Sequence, residues 1–301
     1  MTSAVEHLRI PVGELTFDAR AGGPAGGRLV ILLHGFPESS RCWVAQLGAL
    51  AGAGYRAVAF DQRGYSPGAR PDGVESYRVA LLVADVLAVA DWLVAEQAGK
   101  AGRSGQTDRS GPDDRFDLVG HDWGGALAWQ VAGRHGRRLR SLTVVSTPHP
   151  LAFASALSDR EGDQAKKSWY MAWFRTPEEP ERTLLADHAA GLRDIYAGLP
   201  DDAVAEYVER LSQPGALTAA INWYRATRRD LVEGMGPVTV PTLYLWSDQD
   251  VALGRAAAEA TGAHVDGPYR FEVLEGVSHW IPEEAADACN RLLLDHLART
   301  A

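Results

Sequence analysis

The stretch Leu118 to Gly125 reads L-V-G-H-D-W-G-G: an apolar run, then glycine-x-aspartate-x-glycine, then residues suited to starting a helix. An aspartate at such a place is commonly a helix cap and nothing more. Here Gly120 and Gly124 flank Asp122, as a sharp strand-to-helix turn carrying a nucleophile requires, because that turn admits no bulky neighbours. Serine is the familiar occupant; aspartate changes the chemistry. A carboxylate is already ionised at neutral pH, so it can displace a leaving group at a saturated carbon without a base to activate it. That step leaves an alkyl ester on Asp122, which a base and a water molecule must then clear.

Candidates for the base and its partner follow in chain order. Ser278-His279-Trp280 comes after the apolar run Phe271–Leu274, and Ser247-Asp248-Gln249-Asp250 ends the run Thr242–Trp246. His279 titrates near neutrality and needs an acid to orient it. Both Asp248 and Asp250 are candidates, and Asp250 is preferred. His34-Gly35-Phe36-Pro37 follows the run Leu29–Leu33, where the loop supplies one amide of an oxyanion hole; Phe36 is assigned that role beside the amide of Trp123. His121 and His149 read as structural. No metal-ligand spacing is visible, and no metal or organic cofactor is implied.

The elements that must position these groups are legible as alternating patterns. Leu8 to Ile10 and Leu15 to Ala19 read as a hairpin. Leu29–Leu33, Tyr55–Phe60, Phe116–Gly120, Leu142–Ser146 and Thr242–Trp246 are continuous apolar runs suited to strands buried on both faces. Helical spacing over Tyr77–Glu96 and Gly124–His135 separates them, which indicates a mostly parallel, doubly wound α/β sheet with ligands at the strands' C-terminal rim. Two segments break the rhythm. Ala98–Arg115 is polar and glycine-rich and reads as a surface loop. From about Pro150 the chain is rich in Trp, Tyr and helix formers without a clear strand. This divides the chain into a core of residues 1–149 and 237–301 with a helical cap, 150–236, inserted between its parts.

Bulk properties bound the function. With 301 residues, 46% of them hydrophobic, the chain can bury one large core with an insertion. A formal charge of −9 lacks the basic footprint that nucleic acid or an anionic membrane would need. Cys42 and Cys289, outside any CxxC pattern, read as free thiols in a reducing cytoplasm. No secretory signal and no run of ~20 apolar residues is present, so a cytoplasmic protein, monomer or homodimer, is expected.

His34–Glu38 (HGFPE), Asp61–Pro71 (DQRGYSPGARP), Gly120–Gly125 (GHDWGG) and Ser146–Pro150 (STPHP) together resemble the soluble epoxide hydrolases of the α/β-hydrolase superfamily, over nearly the whole chain. The resemblance implies the α/β-hydrolase fold, an epoxide as substrate with water, a vicinal diol as product, and a lid bearing two tyrosines. Trp169 to Phe174 with Arg175-Thr176-Pro177 looks like the family's first tyrosine motif, and Asn222-Trp223-Tyr224-Arg225 like the second, so Tyr170 and Tyr224 would hold the epoxide oxygen. The chemistry agrees: an alkoxide is a poor leaving group unless protonated or hydrogen-bonded, and a phenol with a pKa near ~10 can do both. Trp123, Trp173, Phe174 and Trp223 are expected to line an apolar cavity for the substrate.

Rival readings share parts of this machinery. A haloalkane dehalogenase uses the same Asp–His–acid set, and Trp123 resembles its halide-binding tryptophan; Phe36, however, offers no second side-chain N–H. A fluoroacetate-type enzyme would carry arginines where Trp123 and Ala126 stand. A non-catalytic binding protein on the same fold would be expected to lack one of Asp122, Asp250 and His279. Ser66, Ser146 and Ser278 lie in no G-x-S-x-G turn, which removes a serine hydrolase.

Overall fold

In the computed structural model, which describes residues 5–103, 114–227 and 229–300, the apolar runs become one eight-stranded sheet. Its strands are β1 (Glu6–Val12), β2 (Leu15–Gly22), β3 (Leu29–Leu33), β4 (Arg56–Phe60), β5 (Phe116–His121), β6 (Leu139–Val145), β7 (Thr242–Ser247) and β8 (Tyr269–Leu274). Spatially they run β1-β2-β4-β3-β5-β6-β7-β8. β1 and β2 form the expected hairpin and join β4 antiparallel; every pairing from β4 through β8 is parallel. Every residue of β3, β4, β5 and β7 is buried, which is why these strands read as unbroken apolar runs and not as alternating ones. Asp117 in β5 is one of the few polar residues in these strands. Its carboxylate is satisfied by a forked contact from Arg28, 2.6 Å to each oxygen, and by the Ser141 hydroxyl.

The helices alternate with the strands as the periodicity indicated. α1 (Val44–Gly52), α2 (Val79–Arg103) and α3 (Trp123–His135) precede β6. α2 runs farther than its sequence suggested, so residues 98–103 of the segment expected to be a loop are helical. Gly99 and Gly102 argued for a loop there, but adding residues to an existing long helix costs little compared with starting one. The stretch 104–113 of that expected loop lies outside the described residues. Tyr77 belongs to a short 3-10 turn before α2, not to the helix itself.

Between β6 and β7 the described residues form helices: α4 (Pro150–Ser158), α5 (Asp163–Lys167), α6 (Trp169–Phe174), α7 (Glu179–Ile195), α8 (Asp201–Leu211) and α9 (Ala216–Ala226). α7 is broken at residues 186–189, which leave the helical region. Val238 makes an isolated bridge to Val265 before the sheet resumes at Thr242. α9 is buried on nearly all sides, which its Ala-, Ile- and Trp-rich sequence permits. After β7 come α10 (Arg255–Ala260), α11 (Ile281–Glu284) and α12 (Ala286–Arg299).

The chain leaves β3 for β4 on one side and reaches β5 on the other. This reversal opens a crevice above the C-terminal ends of β3 and β5, and a ligand site is expected there. Cys42 and Cys289 are buried and unpaired. Among the described residues no helix is long and apolar enough to cross a membrane, and no group of three or more His, Cys, Asp or Glu could hold a metal ion.

Candidate active site

Asp122 stands at the junction of β5 and α3 with φ 50° and ψ −120°, a conformation that costs a non-glycine residue of order 1–3 kcal/mol. Its surroundings hold it there. The Asp122 carbonyl accepts from the amide of Ala126 (2.9 Å) and the hydroxyl of Thr147 (2.7 Å). The turn is tight enough that a Cβ on Gly120 would lie 2.3 Å from the Gly124 carbonyl oxygen, and one on Gly124 would lie 2.3 Å from that of Leu33. Both glycines of the motif are therefore required by close approach of backbone.

The two oxygens of the Asp122 carboxylate face different partners. Oδ1 accepts a hydrogen bond from the Phe36 amide at 2.7 Å. Oδ2 lies 3.6 Å from Nε2 of His279, beyond hydrogen-bond length but close enough for strong attraction between charges. On its other side His279 meets Asp250, with Nδ1 2.8 Å from Oδ2. The remaining oxygen of Asp250 accepts from the amides of Ala252 (2.8 Å) and Leu253 (2.9 Å), so the acid is fixed by its own loop. Asp248 instead accepts from the amide of Gly276 at 2.7 Å and shapes a turn. Ser247 donates to the Ser278 carbonyl at 2.6 Å and so ties the acid loop to the histidine loop.

Electrostatics follow from this geometry. Burial raises the Asp122 pKa, but the charges of His279 and His121 and the Phe36 amide outweigh it and hold the carboxyl below its usual range. Burial also opposes charge on His279; Asp250 and Asp122 outweigh that and raise the imidazole well above its ordinary value. In the free site the two shifts reinforce each other, favouring the ionised form of Asp122 and the protonated form of His279.

His121 was expected to be structural, and it touches the site through the backbone. Its ring bridges Glu38 Oε2 (2.8 Å) and the carbonyl of His279 (3.0 Å), which also accepts from the Ser146 hydroxyl at 3.1 Å. Glu38 carried no role in the sequence reading beyond its place in HGFPE. The only available signal was its position directly after the Phe36–Pro37 pair, which cannot reveal a partner 83 residues away.

A cavity of about 270 Å³ opens over Asp122, with Trp123, Tyr170, Met171, Tyr224 and Leu231 in its wall. Tyr170 from α6 and Tyr224 from α9 thus share one wall, their ring centroids 6.1 Å apart. Burial pushes both phenols well above their ordinary pKa, helped at Tyr170 by the charges of Asp122 and Asp250 and at Tyr224 by Tyr170 and then Asp122, so both are neutral donors. Of the residues expected to line the cavity, Trp123 does so; Trp173, Phe174 and Trp223 are not among its lining residues. Successive helical residues point about 100° apart, so Trp223, next to Tyr224, faces elsewhere; Trp173 and Phe174, three and four residues after Tyr170, share its side of α6 and are taken up in packing with other rings. Trp223 is fully buried and donates to the Arg63 carbonyl at 2.9 Å. Phe174 packs between Phe36 and Tyr224, and Trp173 packs on Trp169 and Phe174.

Comparison with known proteins agrees with this picture. Residues 30–292 match the model of the Alpha/beta hydrolase family. The chain is 36% identical to the AB hydrolase superfamily protein YfhM of Bacillus subtilis, over 94% of each chain. It is 32% identical to epoxide hydrolase 3 of Xenopus tropicalis, over 97% of this chain and 77% of that protein. The crystal structure of Bacillus megaterium epoxide hydrolase in complex with an inhibitor superimposes with a TM-score of 0.82 at 26% identity, covering 97% of this chain and 100% of that one. The chain belongs to the alpha/beta hydrolase family. Within it, its relatives and structural neighbours include epoxide hydrolases from bacteria and vertebrates.

Proposed function

We propose that this protein adds water to an epoxide through a covalent ester on Asp122 and releases a vicinal diol. The observation that carries the reading is the meeting, around one cavity, of Asp122, whose carboxyl is held below its usual range, and two neutral phenols, the half-buried Tyr170 and the buried Tyr224. In this reading residues 150–236 act as a cap on a core made of 1–149 and 237–301, and cap and core each supply half of the chemistry. The names of the relatives point the same way.

In the first half-reaction Oδ2 of Asp122 attacks an epoxide carbon and the C–O bond of the ring breaks. Tyr170 and Tyr224 hydrogen-bond the departing oxygen, and the proton it gains comes ultimately from the His279 imidazolium. Esterification deletes the Asp122 charge that had favoured protonated His279. Its proton affinity therefore falls at the stage when a base is needed. In the second half-reaction neutral His279, oriented by Asp250, takes a proton from water, whose oxygen attacks the ester carbon. The negative charge that develops on Oδ1 is met by the Phe36 amide, with the Trp123 amide as the second donor. Collapse frees the diol and restores both the carboxylate and the imidazolium, so protons balance over the cycle.

A haloalkane dehalogenase would share Asp122, His279 and Asp250, and Trp123 does stand in the cavity wall. A side-by-side assay with an epoxide panel and a bromoalkane panel, with Asp122→Ala as the blank, separates the two. Diol without halide is expected. Halide without diol would sink the proposal and reduce Tyr170 and Tyr224 to packing residues.

A further inference from the structure

The loop that presents Asp250 is held from α5 as well as by its own amides. Gln164, the second residue of that short helix, is fully buried. Its Nε2 donates to the Ala252 carbonyl and to the Ser168 hydroxyl, each at 2.9 Å. Its Oε1 accepts from the Gly254 amide at 2.8 Å. The Ala252 carbonyl can only accept and the Gly254 amide can only donate, so a single orientation of the side-chain amide satisfies both. Lys167, one turn on, donates from Nζ to the backbone carbonyl of Asp250. Ala252 and Leu253 are the residues whose amides hold Oδ1 of Asp250. Ser168 stands directly before α6, two positions ahead of Tyr170, and its side chain does not cap that helix. Gln164 does not line the cavity and has no part in the reaction just described. Filling space calls for an apolar side chain; a buried amide with both donors and its oxygen matched fixes direction as well.

On the basis of the proposed epoxide chemistry, we propose that Gln164 is a positioning residue that locks the Asp250 loop to the start of α6, so that His279 and Tyr170 keep a fixed offset across the substrate. The two groups come from separate parts of the chain, one from the loop after β8 and one from the helices between β6 and β7, and they serve the same bound molecule. Asp250 orients His279 and raises its proton affinity. Slack in residues 252–254 would turn the Asp250 carboxylate away from Nδ1 and weaken both effects. Slack at Ser168 would shift α6 and the Tyr170 hydroxyl with it. One amide bonded to both segments prevents the two movements together.

Q164M keeps the length of the side chain and removes its hydrogen bonds. Q164E keeps the acceptor for Gly254 but sets a carboxylate oxygen against the Ala252 carbonyl. In both variants, checked for folding by circular dichroism, single-turnover ring opening and hydrolysis of the ester are each expected to slow by roughly ten-fold or more. The alkaline fall of kcat/KM should move to lower pH, because His279 loses part of the support of Asp250. In Q164E the deficit against wild type should shrink at low pH, where the new carboxyl gains a proton that it can donate to Ala252. A residue that only fills space would lower the melting temperature and leave the rates and the pH profile of the folded enzyme unchanged, and that result would overturn the inference. A loss confined to one of the two steps would overturn it as well. Should neither variant fold, S168A cuts the link to α6 alone: slower ring opening with unchanged titration of His279 supports the inference, and unchanged ring opening refutes it. If the wild-type protein turns over no epoxide, the reaction proposal has failed, and NMR titration of the His279 imidazole in the substrate-free protein still decides this one. A midpoint at lower pH in Q164M than in wild type supports it; equal midpoints refute it.

Discussion

The loops at the ends of the strands and the helices between β6 and β7 each supply groups of the proposed reaction, and they hold them by different means. Asp122, Asp250 and His279 carry charge and are fixed by hydrogen bonds, many of them to backbone: the Phe36 amide on Asp122, the Ala252 and Leu253 amides on Asp250, and His121 and Ser146 on the His279 carbonyl. Tyr170 and Tyr224 are neutral and are held largely by ring packing, Tyr224 against Phe36, Trp123 and Phe174, and Tyr170 against Phe174. The contrast has a physical basis. A buried charge must be solvated by dipoles that cannot move away, whereas a phenol needs only to be aimed. The rigid half is thus suited to running the covalent chemistry, and the packed half to choosing the substrate.

The sharpest way to break this division is to remove the nucleophile. Asp122→Ala should reduce turnover to background, a loss on the order of 10⁴-fold or more, followed by diol formation. His279→Gln should also arrest steady-state turnover, but for a different reason: the ester forms and stays. Intact-protein mass spectrometry should then show an adduct of one substrate mass, and normal turnover by this variant would refute the assigned base. On the helical side, Tyr170→Phe combined with Tyr224→Phe should slow single-turnover ring opening by roughly 10²–10⁴-fold with little change in melting temperature. A silent double variant would mean that both phenols are packing alone.

The effect of pH separates the halves more finely. The free enzyme needs Asp122 ionised, with its lowered pKa, and His279 protonated, with its raised pKa. Accordingly kcat/KM should be flat through neutrality, fall at high pH as His279 loses its proton, and fall at low pH only below the usual carboxylate range. In the ester the Asp122 charge is gone, so hydrolysis of the trapped intermediate should require neutral His279 and show a lower apparent pKa. A kcat/KM that climbed through the ordinary imidazole pKa would contradict the resting ion pair.

How much of this was readable beforehand depended on whether a contact is local. Asp122, His279 and the strands beneath them were legible because a buried parallel strand and a tight turn leave short, stereotyped patterns. Asp250 was separable from Asp248 only as a preference; the structure supplies the reason, since Asp248 is occupied by Gly276. Tyr170 and Tyr224 were reached through a family resemblance. The aromatic helices do not announce which ring faces inward, as Trp173, Phe174 and Trp223 demonstrate by lying within four residues of the tyrosines and outside the cavity wall. The bridge from Glu38 through His121 to the His279 carbonyl joins segments remote in sequence, and no periodicity encodes it. The end of α2 is not legible in the sequence because Gly99 and Gly102 favour a loop where an established helix propagates at little cost.

Phe36 belongs to both regions at once. Its backbone steadies the nucleophile while its ring leans edge-on against Tyr224 and Phe174, at centroid distances of 5.3 and 5.1 Å. Trimming that ring to leucine would leave the amide donor in place and change only how far the phenol sits from the attacking carboxylate along the substrate's two-carbon edge. Under the proposed reaction, position 36 is therefore expected to act as a dial for regiochemistry. Hydrolysis of an unsymmetrical epoxide in ¹⁸O-water should give a different ratio of labelled isomers in Phe36→Leu, and drift at this one residue could redirect the product without disturbing the catalytic groups.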